Sequence, residues 1–366
     1  MTKIDPKYFD YAASVPPFEE VLDVFKQYSI DHFANPSSIH PAGLSAKNTL
    51  GELKRKFCQQ LNFNDGRLFL CASASEANNT ILESYHDQKI LLVEDVHSSI
   101  WYAKDKYPKN VSVFTINPDG SIDIDRLLVE LDKSPALMAM THASNETGRI
   151  HDIETICRFA KARGVKTLVD AAQTIGHISI DMETIEVDYL VFSAHKFGGC
   201  RGTGGILARD LSFDALIKGG EQEWQKRAGT ENIAGLAAAE KALEISLSSS
   251  AEEAQRLSAL NKTFCDTIKE SIPGVLFNSE ISTDSLASLI SLSIAGKSGT
   301  EIVRALSLDD ISISTGSACH SDQEEPSRVI MALGRSQDEA SGTIRISMGR
   351  GTNEDAILEL AKQLSS

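Results

Sequence analysis

With 366 residues, 42% of them hydrophobic and 24% charged, the chain has the make-up of a globular protein with room for two packed units, and no disordered bias. A net charge of −15 argues against a nucleic-acid backbone as the main partner, because such binding relies on clustered Lys and Arg. No apolar run reaches membrane-spanning length and the first residues hold no signal-like apolar stretch, so a cytoplasmic protein is expected.

The predicted elements follow in chain order. A helical pattern over 18–28 leads to Asn35-Pro36-Ser37-Ser38-Ile39-His40, a run of turn formers and hence a loop. Apolar residues at a period near 3.6 predict a helix over 43–61. Residues 67–71 read as a strand feeding the small residues Ala72-Ser73-Ala74-Ser75, and Ser73-x-x-Glu76 predicts a capping box. A strand, a small-residue turn and a helix start also make an anion site, although an ordinary capped helix has the same signature. Strand patterns then recur at 89–94, 111–116, 136–141, 166–169, 189–193 and 205–208, with helical segments such as 124–131 and 153–163 separating most of them. This alternation predicts an α/β fold, a mostly parallel sheet with helices on both faces and an antiparallel pair at its edge. From 233 to 270 a long helical stretch takes over. Strands are predicted at 275–277, 286–294 and 311–313, and a last helix capped by Thr352-x-x-Asp355. The domain change is placed near 235: a large unit of 15–235, and a smaller one of 1–14 plus 236–366.

Polar side chains gather just past the predicted strands: His97, Asn145, Asp170, Gln173, Ser193, His195 and Lys196. Parallel strands would align all of these on one edge, where open α/β sheets bind ligands. In Ser193-Ala194-His195-Lys196-Phe197-Gly198-Gly199 the lysine sits directly after a buried-type strand. It is either a surface lysine at a strand end or a Schiff-base lysine for an aldehyde such as pyridoxal phosphate. Asp170 is either a turn-capping acid or the partner of that cofactor's ring nitrogen. The six cysteines include no CxxC pair, so no metal site is expected, and free thiols are. Cys319 stands apart: it lies in Ser314-Thr315-Gly316-Ser317-Ala318-Cys319-His320-Ser321-Asp322, a small and polar stretch that reads as an exposed loop.

Asp170-Ala171-Ala172-Gln173, Ser193-Ala194-His195-Lys196, Arg227-Ala228-Gly229-Thr230-Glu231-Asn232 and Ser314-Thr315-Gly316-Ser317-Ala318-Cys319 occur here in the order seen in cysteine desulfurases. The chain resembles the NifS/IscS group of class V, fold type I pyridoxal-phosphate enzymes, over nearly its whole length. The resemblance implies a seven-stranded large domain and a smaller α+β domain carrying the cysteine loop. It further implies that Lys196 forms the Schiff base, Asp170 faces the ring nitrogen, His97 lies on the ring and Gln173 bonds the ring hydroxyl. Ala74 and Ser75, with Ser193, His195 and a second subunit's Thr230, would hold the phosphate, so a homodimer is implied. Asn35, Asn145 and Arg345 would hold the substrate carboxylate, a task that suits an arginine fork. Lys196 would move the Cα proton, with His97 as a proton donor or acceptor. Cys319 would take the sulfur of L-cysteine as a persulfide, releasing alanine. A sulfur-acceptor protein would follow, serving iron-sulfur assembly, tRNA thiolation or another sulfur-using pathway. Selenocysteine lyase, and an aminotransferase or C-S lyase, are the alternatives on the same scaffold. The chain departs from the family pattern at Cys71, Ser73, Ser75, Cys200, Arg201 and Glu221, which makes Cys71 and Cys200 candidate redox-sensitive thiols.

Overall fold

The computed structural model describes residues 4–279, 282–316 and 326–365. Seven strands form the larger sheet: β1 (Arg67–Cys71), β2 (Ile90–Val93), β3 (Val111–Phe114), β4 (Leu137–Thr141), β5 (Lys166–Asp170), β6 (Tyr189–Ser193) and β7 (Gly204–Ala208). Their order is β1-β7-β6-β5-β4-β2-β3. Strands β2 to β6 pair in parallel, and β7 is antiparallel to both β6 and β1. Because β7 reverses twice, β1 runs the same way as β6, and the segments after β1, β2, β4, β5 and β6 all emerge on one edge.

Every residue of β2, β4, β5 from Thr167, β6 and β7 is buried, as expected of strands covered on both faces. Successive side chains divide between those faces. Leu91, Met138, Met140, Val169, Leu190, Phe192 and Leu207 pack with helices α1 (Glu19–Asp31) and α2 (Pro41–Gln59). Leu92, Ala139, Leu168, Tyr189, Val191 and Ile206 pack with Ile81, Leu82 and Ile100 of helices α3 (Ala74–Ser84) and α4 (Ser98–Lys106). The same parity assigns Asp170 and Ser193 to the α3/α4 side.

Helices α5 (Ile124–Leu131) and α6 (Ile153–Lys161) link further strands, and a short turn α7 (Gln222–Gln225) precedes the 39-residue α8 (Ile233–Ser271). The first half of α8, to Leu243, joins the core against the large sheet, and Leu257–Ile268 join a second core. That second core covers a three-stranded antiparallel sheet of β8 (Leu276–Phe277), β9 (Leu289–Ser293) and β10 (Thr343–Ser347), ordered β10-β9-β8. Helices α9 (Gly299–Ser307) and α12 (Glu354–Leu364) complete it, while Ile330 of α10 (Arg328–Ala332) and Ala340 of α11 (Gln337–Ser341) join the core of the large sheet. The N-terminal segment reaches β10 of the small sheet through a single bridge, Asp10 to Ser347, and makes another from Tyr8 to Ser312.

Two local expectations change. Residues 311–313 form no strand, since Ser312 and Ser314 make isolated bridges instead. Thr352 does not cap α12: its hydroxyl accepts from Gly349 N–H, and Asn353 Oδ1 caps the helix by accepting from Ala356 N–H at 2.9 Å.

The stretch leading to Thr230 is held in an unusual conformation. Glu223, Trp224 and Gln225 have φ of 49°, 53° and 65°, a left-handed run that costs about 1–2 kcal/mol per non-glycine residue. Compensation comes from Glu223, whose buried carboxylate takes Lys54 Nζ at 2.6 Å on both oxygens and Leu70 N–H at 3.0 Å. Trp224 adds an edge contact with Phe69 at 5.4 Å beneath the Lys54 ammonium. Burial pushes the Glu223 carboxyl up while Lys54 draws it down. Lys54→Met therefore leaves a buried acid without its cation and is expected to cost about 3–5 kcal/mol. Urea denaturation checks this, and a loss under about 1 kcal/mol would contradict it.

Candidate active site

Lys196 ends a 3₁₀ turn, Ala194–Lys196, directly after β6. Its Nζ donates to Ala12 O at 2.5 Å, and Gln173 Nε2 donates to the same oxygen at 3.0 Å. Ala12 is fixed in turn by its own N–H to Ser347 Oγ at 2.9 Å, so the N-terminal segment is tied to both the lysine and β10. On the neighbouring strand end, Asp170 is 6% exposed. Its Oδ1 accepts from Ala172 N–H at 3.0 Å and its Oδ2 from Asn78 Nδ2 at 2.8 Å. His97 is the N-cap of α4, and its Nδ1 faces Ser99 N–H at 3.1 Å and Ser99 Oγ at 2.8 Å. An acceptor Nδ1 leaves the ring proton on Nε2.

The end of β6 and the start of α3 form a cradle with the chemistry to hold an anion. The N-terminus of α3 points its first-turn N–H groups this way, with that of Glu76 taken by the Ser73 cap. Ser193 Oγ is buried and has no hydrogen-bond partner among the described residues. A Cβ on Gly204, the register partner of Ser193, would come within 2.6 Å of Phe192 O and 2.8 Å of Ser73 Cα. Glycine there lets α3 close against the end of β6. His195 Nδ1 lies 3.3 Å from Ser14 Oγ, and burial, then Lys196 and Arg201, push its imidazole down to about 4. The expected capping box forms only in half. Ser73 Oγ accepts from Glu76 N–H, but Glu76 reaches Ala72 N–H at 2.7 Å and Arg227 Nε at 2.9 Å instead of the cap.

Arg345 lies on β10 and is 3% exposed. Its Nη2 donates to Asp10 Oδ1 at 2.8 Å and its Nη1 to Asn145 O at 2.8 Å, while its Nε is buried with no partner among the described residues. Asn145 is thus brought to Arg345 by its backbone. Glu146, next in the chain, accepts from Ser327 Oγ, and burial pushes its carboxyl up against the pull of Ser327, Arg328, Arg345 and His97.

Not every expected residue joins this cluster. Asn35 is exposed, and its Oδ1 accepts from Ser37 N–H within its own turn. Thr230 is exposed, as is Ser75. Cys319 lies outside the described residues. Cys71 is buried and its thiol is pushed well up, and burial also raises the thiol of the half-buried Cys200. Sequence reading missed Asn78, Ser99, Asp10 and Glu146. The adjacent pair Asn78-Asn79 one turn into α3 was the available signal, since polar residues on a helix's buried face need partners.

Behind the edge, His151 Nε2 and Asp95 Oδ2 meet at 2.8 Å in a fully buried pair, next to His142. Burial and then His151 push the His142 imidazole down to about 3. The unfolded chain takes up that proton near pH 6.5 and the folded one resists it, so stability falls as pH drops from 6.5 towards 3. At pH 5 the cost is about 2 kcal/mol. His142→Gln is therefore expected to lose about 2 kcal/mol less than the parent between pH 7 and pH 5 in urea denaturation. Equal losses would refute it.

A lysine and a buried acid on adjacent strand ends, at the carboxyl edge of a mostly parallel sheet and beside an anion cradle, define the class: a fold type I α/β enzyme. The chain belongs to the class V aminotransferase family, whose model matches residues 7–360. It is 32% identical over 358 residues to the cysteine desulfurase IscS of Dictyoglomus turgidum, covering 95% of this chain and 91% of that protein. A solved NifS-like protein superposes with a TM-score of 0.89 at 26% identity, over 98% of both chains. SspA, solved in complex with cysteine, gives a TM-score of 0.78 at 26% identity, over 94% of this chain and 99% of that one. Family membership implies pyridoxal phosphate as the cofactor. No helix among the described residues is long and apolar enough to cross a membrane.

Proposed function

We propose that the chain is a pyridoxal-phosphate-dependent cysteine desulfurase that converts L-cysteine to L-alanine and receives the sulfur on Cys319 as a persulfide, for delivery to an acceptor protein. The observation that carries this reading is the meeting of Lys196, Asp170 and the orphaned Ser193 Oγ at one sheet edge. The residues fit the cofactor chemically. A buried hydroxyl without a partner, a helix N-terminus and a cradle floor that only glycine permits suit a phosphate, and a buried acid suits a pyridine nitrogen. Ser193, His195, Ala74 and Ser75 would hold the phosphate, Asp170 and Gln173 the ring, and Lys196 the aldehyde carbon. When bound, the cofactor supplies an electron sink for the substrate Cα.

The chain's own groups then have defined tasks. Lys196 Nζ moves the Cα proton. His97, with Nδ1 engaged by Ser99, exchanges protons only through Nε2. Arg345 offers its Nε–H, which has no partner among the described residues, to the substrate carboxylate, in competition with Asp10 for the guanidinium charge. Cys319 attacks the substrate sulfur, the C–S bond breaks, and its electron pair stays on the substrate carbon that becomes the methyl of alanine. Asn35 and Thr230, both exposed in one chain, fit a site completed in a homodimer. Ile30, Phe33 and Ile39 support that dimer: they flank Asn35 and are 63%, 80% and 92% exposed. We divide the chain into the large unit 15–235 and a small unit of 1–14 and 236–366, with a cytoplasmic location.

Incubation with L-cysteine, with and without reductant, tests the function. Equimolar alanine and sulfide with reductant, and a mass gain of one sulfur on the Cys319 peptide without it, are expected. A keto acid without alanine would point to an aminotransferase or C-S lyase.

A further inference from the structure

The acid and the imidazole of the site are joined by one buried side chain that takes no direct part in the chemistry. Asn78, on the second turn of α3, is 0% exposed. Its amide nitrogen donates twice, to Asp170 Oδ2 at 2.8 Å and to Ser99 Oγ at 3.0 Å. Its Oδ1 is buried without a partner among the described residues. The amide cannot be turned over, because the flip would aim a carbonyl oxygen at the Asp170 carboxylate and leave both acceptors without a donor.

The direction of the next bond follows. Ser99 Oγ accepts from Asn78, so its own proton goes to its other neighbour, His97 Nδ1 at 2.8 Å. Ser99 N–H faces the same Nδ1 at 3.1 Å. Two donors on Nδ1 fix the neutral ring in the Nε2–H form. Asn79 braces the arrangement, donating to Ser75 O at 2.8 Å and to Ser99 O at 3.2 Å, which ties the start of α4 to the anion-binding end of α3.

We propose that Asn78 is a positioning residue that couples the two halves of the site: it sets the plane of the Asp170 carboxylate directly and the tautomer of His97 through Ser99. This rests on the reading of Asp170 and His97 as site groups given above. It adds that neither is oriented independently of the other. One amide on α3 serves the cradle helix, the acid on β5 and the imidazole at α4, so the three elements keep register as a unit.

The test uses the full chain as purified, with histidine labelled at its ring nitrogens and His97 assigned by comparison with His97→Gln. In the parent protein, His97 is expected to show an unprotonated Nδ1 and a protonated Nε2. Ser99→Ala removes the hydroxyl donor and should shift the Nδ1 resonance. Asn78→Ala, which touches no atom of the ring, should shift it in the same direction, because the Ser99 hydroxyl loses the donor that orients it. The double variant should move it no further than Ser99→Ala alone. Loss of Asn78 should also lower kcat about tenfold with KM changed by less than about twofold. Parent-like His97 nitrogen shifts in Asn78→Ala, or shifts that simply add in the double variant, overturn the coupling. Should Asn78→Ala fail to fold, unchanged His97 shifts in Ser99→Ala overturn it equally. A colourless protein without desulfurase activity would sink the functional reading while leaving the nitrogen shifts to decide the relay.

Discussion

Lys196→Ala is expected to lower alanine formation from cysteine by on the order of 10⁴-fold or more, the scale of loss when a covalent catalytic group is removed. The chain should still fold. Lys196 sits in a tight turn fixed by backbone bonds, Phe197 N–H to Ala194 O at 3.1 Å and Gly199 N–H to Ala194 O at 2.9 Å, and these do not need its side chain. The lost contact to Ala12 O is backed by Gln173 on the same oxygen. The loss should therefore be chemical, with an unchanged far-ultraviolet circular dichroism spectrum. Borohydride reduction of the cofactor-loaded parent followed by digestion should place the cofactor mass on the peptide containing Lys196, and the variant should carry none. Turnover within tenfold of the parent in a folded variant would remove the lysine from the mechanism.

The sheet was legible because its strands announce themselves in two independent ways. Residues 137–141 and 189–193 are continuous runs suited to burial on both faces, and each is followed by polar groups that a parallel arrangement must bring together. Strand direction thus turned a scatter of residues from His97 to Lys196 into one edge. The contacts that orient those residues were not legible, because they join elements far apart in the chain. Asp170 meets Asn78 across 92 positions, and Arg345 meets Asp10 across 335. No local period or motif encodes such a pair, and an arginine that looks reserved for a substrate can already hold an internal carboxylate. Local capping was misread for a related reason. Asn353 and Thr352 are both good caps by type, and the competing bond of Thr352 to Gly349 decides between them. Asn35 shows the limit of transfer by resemblance: a turn of the expected composition forms, yet within one chain its amide is spent on Ser37 and faces solvent.

Cys319→Ala is expected to abolish sulfide release from cysteine while retaining part of the release of selenide from selenocysteine. The difference lies in the leaving atom. The bond pair stays on carbon, so sulfur must be drawn off by an attacking thiolate, whereas the weaker carbon–selenium bond breaks more readily and leans less on that attack. Among the cysteines whose surroundings are described, none offers a substitute close to a reactive state: burial raises the thiols of Cys58, Cys71, Cys157, Cys200 and Cys265. The variant should still load the cofactor, because Lys196, Asp170 and the cradle formed by α3 and Ser193 are untouched. Its spectrum with cysteine should change on substrate addition and then stall, with no alanine released and no added sulfur on any peptide. Undiminished alanine formation from cysteine would show that the sulfur leaves without a thiol acceptor on this chain. The persulfide route through Cys319 would then fall, and the sulfur would pass directly to a thiol in solution at the same lysine-centred site.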